Sequence, residues 1–271
     1  MKRRKLYYLL LITFGLIFLT SATLLITYYM DSGEQAAIYE ELSALHRGPM
    51  ETAPEIPVDD NGVAHPEEIW ITVTEEETQQ QMLPEFEGLY GLNSDVAGWI
   101  TIPGTRVDYP VMQSPDRTDY YLKRNFYGDR ASQGSIYARE QCDLLAPSDN
   151  IILYGHHMKD GSMFAVLESY KQKSFWQEHT TIQFSTLQQR NTYEIFAVFT
   201  TTASVGEGFA YHTFVDAADP SEFRAFVDTC KSLSLYDTGI TPVYGDKLIT
   251  LSTCEYSQTN GRLVVVARRI D

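Results

Sequence analysis

The chain has 271 residues, a length that suits one or two domains. Hydrophobic residues make up 44% of it and aromatic residues 13%, enough to bury a core and to exclude disorder of the whole chain. Its formal net charge of -15 at pH 7 argues against a nucleic-acid-binding protein, because such a surface presents a basic face. The three cysteines lack CxxC spacing and cannot all pair within the chain, so at least one thiol is free.

An uncharged segment, Leu6 to Met30, follows the basic residues Lys2 to Lys5. As a helix it spans roughly 37 Å at about 1.5 Å per residue, which exceeds a hydrocarbon core of about 30 Å. It is longer than the apolar region of a signal peptide and no cleavage site is obvious, so an uncleaved anchor is favoured. Basic residues before it and acidic residues after it predict a cytoplasmic tip and single membrane span over residues 1–30, with the catalytic part extracellular.

Residues 31–83 differ in composition from the rest of the chain. The stretch EQAAIYEELSAL has helical spacing, but clusters of Pro, Asp and Glu follow it, and neither Lys nor Arg occurs between Gly48 and Thr105. Such a segment repels itself and lacks the apolar surface needed to order it. We interpret it as an acidic extracellular stalk, because a Pro-broken charged run rarely supplies the convergent ligands of a metal site.

Residues 84–271 have the pattern of a mainly β domain. A short helix precedes the first strand, and GSMFAVLESY and DPSEFRAFVDTCKSLSLY read as helices. Runs of β-branched and aromatic residues between turn residues predict about eight strands, at VAGWITI, TRVDYPVM, GSIYA, NIILYG, TTIQF, TYEIFAVFTTT, DKLITLST and GRLVVVARRI. So many short strands in one domain predict a closed barrel or a sandwich.

Three residues combine into a candidate catalytic set. Cys254 ends one strand, and Arg262 begins the next after a short connection, so the guanidinium is expected near the thiol. His156 and His157 follow another strand at a glycine-containing turn, where site residues commonly lie. A cysteine nucleophile needs such a base and such a charge. Spacing alone does not exclude the alternative that Cys254 is an inert thiol in the core. We interpret Cys230 in that way.

Four segments resemble the sortases, and among them the class B sortases: TLSTCEY, NGRLVVVARR, NIILYGHHMKDGSMF and NSDVAGWITIPGTRVDYPVMQSPDRTDYYL. The similarity runs from about Phe86 to Ile270 with the motifs in the family's order. It implies a closed eight-stranded barrel with short helices. It also implies that Cys254 is the nucleophile, His156 the catalytic histidine and Arg262 the transition-state donor.

The chain departs from the family pattern in two places. His157 stands where class B sequences commonly have asparagine, which puts a second imidazole beside the first. The stretch from Arg139 to Cys142 replaces an acidic residue followed by a polar loop, and we place that loop outside the chemistry. Neither change removes a catalytic group.

The resemblance implies a transpeptidase at the surface of a Gram-positive bacterium that needs no metal or other cofactor. It would cleave an LPxTG-like sorting signal and transfer the acyl group to a peptidoglycan precursor or another amine, attaching surface proteins to the cell wall. Ser252 and Glu255, which flank the cysteine, are candidate substrate contacts. The alternatives are a pilin-polymerising sortase with a lysine acceptor, a thiol hydrolase, and a membrane-tethered binding module.

Overall fold

The computed structural model of the protein describes residues 2–48, 81–204, 206–257 and 259–271. Eight strands form a closed barrel in the order β1-β2-β3-β4-β7-β8-β6-β5, and β5 pairs with β1 to close it. This confirms the mainly β prediction and decides between barrel and sandwich. The strands are β1 (Val96–Thr101), β2 (Asp108–Met112), β3 (Ile136–Ala138), β4 (Asn150–Tyr154), β5 (Thr181–Thr186), β6 (Arg190–Thr202), β7 (Leu248–Glu255) and β8 (Gly261–Arg269).

Helices precede and interrupt the barrel in the described part of the chain. The α-helices are α1 (Lys2–Arg47), α2 (Pro84–Leu92), α3 (Lys173–Glu178) and α4 (Pro220–Leu233), and the 3₁₀ turns are Tyr120–Lys123, Ala165–Lys171 and Tyr211–Thr213. The carboxylate of Asp219 caps α4 by accepting from the backbone N–H groups of Ser221 and Glu222 at 2.7 and 3.1 Å. The segment GSMFAVLESY, predicted as a helix, forms the 3₁₀ turn Ala165–Lys171. The helix predicted in DPSEFRAFVDTCKSLSLY is confirmed as α4.

The barrel buries two apolar clusters on opposite faces of the same strands. Side chains at alternate positions of β7 and β8, such as Leu251 and Val265, fill the interior. The intervening positions, such as Leu248 and Val264, pack on the outer face with α4, which contributes Phe223 and its neighbours. The outer face of β7 and β8 is therefore covered by α4 toward one end.

Helix α1 corrects part of the stalk interpretation. It runs without interruption from Lys2 to Arg47 and contains, between Tyr7 and Arg47, a stretch long and apolar enough to be a candidate membrane span. Beyond Met30, where the uncharged run ends, Tyr39 and Leu42 are 5% and 1% exposed and join the core cluster of the barrel. The stalk interpretation is wrong for residues 31–47, because this helical face finds partners that are distant in sequence. Residues 49–80 lie outside the described residues.

Candidate active site

Strands β7 and β8 bring Cys254 and Arg262 together. The two residues are direct partners in the antiparallel register, so their Cβ atoms lie about 5 Å apart on one face of the sheet. That is the outer face, beyond the part covered by α4, and both side chains are partly exposed. An Nη1 group of Arg262 donates to the carbonyl of Gly261 at 3.0 Å, which holds the guanidinium at the start of β8.

The end of β4 places His156 beside the same strand. Tyr154 pairs with Ser252 in the parallel β4–β7 register, and the N–H of Gly155 continues the ladder by donating to the Ser252 carbonyl at 3.2 Å. A Cβ at Gly155 would lie 2.5 Å from the side chain of Ile136, so close packing requires glycine here. His156 thus lies two residues past Tyr154, as Cys254 lies two residues past the partner Ser252.

The imidazole of His156 has a defined tautomer. Its Nε2 lies 2.7 Å from the carbonyl oxygen of Leu122, and a carbonyl only accepts, so Nε2 carries the hydrogen. Nδ1 is then the nitrogen that can take up or release a proton. This is the division of labour that a general acid and base needs, with one nitrogen oriented by the protein and the other free to react.

His156, Cys254 and Arg262 line one groove of about 310 Å³. The arrangement offers a partly exposed thiol, a proton-exchanging imidazole and a guanidinium fork, the parts required for nucleophilic attack on a carbonyl with stabilisation of the resulting oxyanion. The described residues contain no cluster of three or more His, Cys, Asp or Glu side chains able to hold a metal ion.

The second imidazole lies on the other side of the cysteine strand. His157 does not line the groove, and its Nδ1–H donates to the backbone carbonyl of Cys254 at 3.2 Å. The hydroxyl of Tyr256 donates in turn to the His157 carbonyl at 3.2 Å. Adjacent residues at the strand end therefore point apart, and His157 fixes the cysteine backbone while His156 faces the thiol groove.

Ser252 and Glu255, the two predicted substrate contacts, have different surroundings. Ser252 lines the groove, but it is 2% exposed and its hydroxyl is hydrogen-bonded to the Tyr211 hydroxyl at 2.6 Å. Glu255 does not line the groove. Its carboxylate is buried at the mouth of the barrel interior and accepts from Lys171 Nζ at 2.6 Å, contrary to the expectation of substrate contact. Glu255 lies away from the groove because successive side chains of a strand point to opposite faces of the sheet, and Cys254 points to the groove.

Several groove residues come from segments outside the strands that were not predicted to line it. Arg139 and Glu140 line the groove, so the loop placed outside the chemistry forms part of its wall. Tyr211 and His212 line it from the segment that leads to α4. Desolvation, with the nearby charges of Arg139 and Arg262, lowers the pKa of His212, so its neutral form is favoured.

The other two cysteines are structural. Burial raises the pKa of Cys142 to about 11, and its Sγ lies 3.4 Å from the backbone nitrogen of Ile152. Burial likewise raises the pKa of Cys230, which is 0% exposed in the cluster under α4. Cys254 is the partly exposed thiol of the three. Low exposure and an unfavourable thiolate make the other two poor nucleophiles.

Comparisons with known proteins agree with this geometry. The family model of the sortase domain matches residues 100–270. The chain is 34% identical over 194 residues to sortase B of Staphylococcus aureus, covering 71% of this chain and 77% of that one. It is 36% identical over 188 residues to sortase B of Listeria monocytogenes, covering 69% and 74%. A solved Staphylococcus aureus sortase B–substrate complex superposes with a TM-score of 0.72 at 30% identity, covering 89% of this chain and 99% of that one.

Proposed function

Because the chain belongs to the sortase family of cysteine transpeptidases, and within it to the class B sortases, we propose that it attaches surface proteins to the cell wall through Cys254, His156 and Arg262. The substrate is a sorting-signal peptide of the LPxTG-like kind, and the acceptor is an amine of a peptidoglycan precursor. The observation that supports this best is the convergence of the thiol, the imidazole and the guanidinium in one groove on three neighbouring strands.

The reaction has two acyl-transfer steps. The thiolate of Cys254 attacks the carbonyl carbon of the scissile peptide bond, and the C–N bond breaks as His156 protonates the leaving amine. An incoming amine then attacks the thioester, His156 takes its proton, and the Cys254 sulfur departs as the new amide forms. In both steps the carbonyl oxygen becomes an oxyanion, which the N–H groups of Arg262 stabilise.

The remaining groove residues act on the peptide rather than on the reacting atoms. Ser252 and Tyr211 form a hydrogen-bonded pair in the groove wall, two residues before the nucleophile on the same face of β7. Arg139 and Glu140 also line the groove and add charged groups to it. We assign to these side chains the recognition of the signal on either side of the scissile bond.

The test is product analysis by mass spectrometry with a library of sorting-signal peptides and candidate amines. Wall anchoring predicts a thioacyl intermediate and an amide formed with amines derived from peptidoglycan. An amide with a pilin lysine would instead show polymerisation, and acid products that do not change on adding amine would show a hydrolase. Absence of cleavage of every peptide would refute the proposal.

The orientation that fits this function places the barrel outside the cell, with the N-terminal residues in the cytoplasm. The charge asymmetry around Leu6 to Met30 supports it. Protease added to cells freed of their wall should then digest the barrel of the intact chain. Full protection of the barrel would contradict this orientation.

A further inference from the structure

Helix α1 contacts the barrel immediately after its apolar part ends. Asp31 and Ser32 are the first two residues beyond Met30. The carboxylate of Asp31 accepts from the Ser132 hydroxyl at 2.8 Å, and the hydroxyl of Ser32 donates to Asp160 at 2.5 Å. At about 1.5 Å per residue, Ser32 lies roughly 3 Å beyond the end of the apolar run.

The contact continues along the next four turns of the helix. Tyr39 donates its hydroxyl to the Gly134 carbonyl at 2.9 Å, and the ring of His46 stacks on Trp99 with centroids 4.2 Å apart. Arg47 ends the helix in an ion pair of 2.6 Å with Asp108. Gln35, Tyr39, Leu42 and Ser43 are buried along this face. An apolar face with polar contacts at both ends fixes the helix relative to the barrel.

The loop held by Ser32 is the loop that follows His156. Asp160 is four residues after the histidine, so their Cα atoms are at most about 14 Å apart. The side chains that join Ser32 to Asp160 put Asp160 within about 12 Å of the end of the apolar run, and His156 therefore within about 26 Å of it. Asp160 is the nearer of the two to the membrane end of the helix. By contrast Leu45, which contacts Gly88 of α2, lies about 22 Å farther along the helix axis than Met30.

We propose that α1 is a rigid strut that holds the loop after His156 beside the membrane surface, with the groove within about 26 Å of it, and keeps α2 farther from the membrane than that loop. This inference rests on the proposed function for its meaning, since a sorting signal presented near the bilayer would reach the thiol while its protein is still inserted. It replaces the idea of a flexible spacer between anchor and barrel. The contacts of α1 with the barrel then set the distance between the anchor and the barrel.

Two loops held by α1 also present cations. Lys123 and Arg130 precede Ser132 in its loop, which also carries Asp129, and Lys159 directly precedes Asp160; the three cations are exposed. In a chain of net charge -15, cations at this position favour approach to anionic lipid headgroups. The partner of this surface is the bilayer itself.

The inference is tested by distance measurements on the full chain in lipid nanodiscs with anionic lipid. A fluorophore is attached to Lys159→Cys or, as the control, to Glu87→Cys on the exposed side of α2, in a Cys254→Ala background that removes the partly exposed thiol. Energy transfer to a headgroup-labelled lipid should place the Lys159 probe about 10 Å or more closer to the membrane. Equal distances, or a closer Glu87 probe, would overturn the inference.

A second experiment breaks the strut in the enzyme with Cys254 intact. Ten Gly and Ser residues inserted after Met30 add a coil of about 17 Å root-mean-square length. The same insertion after Gly48, beyond the helix, is the matched control. We expect the first insertion, and not the second, to lower turnover of a membrane-inserted substrate at least threefold.

A soluble sorting peptide separates the two proposals. Both insertions should leave its turnover unchanged, because the groove is untouched. If both insertion variants cleave the peptide and also turn over the membrane-inserted substrate equally fast, the strut is contradicted and the proposed function is not. Failure of the unmodified chain to cleave any peptide would instead contradict the proposed function, while the distance measurement would still decide the position of the groove.

Discussion

Glu255→Gln should destabilise the barrel without impairing substrate binding. The carboxylate accepts from Lys171 Nζ at 2.6 Å and from the Ser257 hydroxyl at 2.7 Å. The backbone N–H of Ser257 donates to both carboxylate oxygens, at 3.0 and 3.1 Å. The Glu255 side chain is 3% exposed and that of Lys171 is 26% exposed, so solvent screens the pair weakly. The pair joins the 3₁₀ turn Ala165–Lys171 to the end of β7, beside Cys254.

Glu255→Gln should lower the free energy of unfolding because it removes a charge while it keeps the size of the side chain. Glutamine keeps one acceptor oxygen but loses the negative charge, and a hydrogen bond to a charged group contributes about 1.5–3 kcal/mol. Lys171 keeps Glu168 as a partner at 2.7 Å, so it is not left alone. We expect a loss of about 2 kcal/mol in the free energy of unfolding, or about 4–8 °C in Tm for a domain of this size.

The loss should depend on pH. Burial alone would raise the pKa of Glu255, but hydrogen bonds from Lys171 and Ser257 outweigh it and hold the pKa below its ordinary value. The folded state therefore binds the proton less tightly than the unfolded state. The stabilisation is fully present above about pH 4.5 and is lost as the pH falls through the lowered pKa, so the Tm difference between wild type and Glu255→Gln should shrink there.

Thermal unfolding of the full chain in detergent, at several pH values, measures this difference, and kinetics with a sorting peptide measure KM. The matched variant is Lys171→Met, which strands a buried carboxylate and should cost more, about 3–5 kcal/mol. Equal stability of wild type and Glu255→Gln at pH 7, together with a raised KM, would refute the structural role and restore Glu255 as a substrate contact.

Three further predictions concern the groove. Cys254→Ala should abolish turnover while Cys142→Ala retains it, because Cys254 is exposed to the groove and Cys142 is buried; peptide cleavage by Cys254→Ala would show that another group is the nucleophile. His156→Ala should abolish turnover, whereas His157→Asn should be tolerated because an amide N–H can also donate to the Cys254 carbonyl. The reverse pattern in the same peptide assay would exchange the two roles. Arg262→Lys should lower kcat/KM at least about tenfold, since an ammonium lacks the planar fork and one lost oxyanion donor costs about 10²–10³ in rate. Turnover near wild type in that variant, with the pH dependence of Cys254 alkylation measured alongside, would show that charge alone suffices.

Local periodicity was enough to predict the strands, whereas the assignment of Cys254, His156 and Arg262 to a catalytic set needed the resemblance to the sortases as well. The runs NIILYG and DKLITLST show β-branched residues between turn residues, and the structure has β4 and β7 there. The position of Arg262 opposite Cys254 followed from the short connection between their strands. Alternation along β7 also predicts that Glu255 and Cys254 face opposite sides of the sheet, so Glu255 faces away from the groove.

Contacts between distant parts of the chain were not predictable in this way. Tyr39 and Leu42 are ordered by the barrel, and the hydroxyl partner of Tyr39 lies 95 residues away at Gly134. Arg139 and His212 reach the groove from loops whose course depends on the closed barrel. A single sequence shows the helical spacing of Tyr39 and Leu42 and the residue types of Arg139 and His212. It does not show which surface each one meets.

In the proposed function, Cys254 and Arg262 carry out the chemistry from paired strands, and the residues that would select the substrate lie outside the strands. A one-residue slip between β7 and β8 would move Arg262 to the face opposite Cys254, and eight register pairs oppose such a slip. The walls of the groove, by contrast, come from segments around Arg139 and His212 that lie outside the strands and tolerate change more readily. Substitutions in those walls should therefore alter which peptides are used and leave the rate of thiol alkylation at Cys254 unchanged.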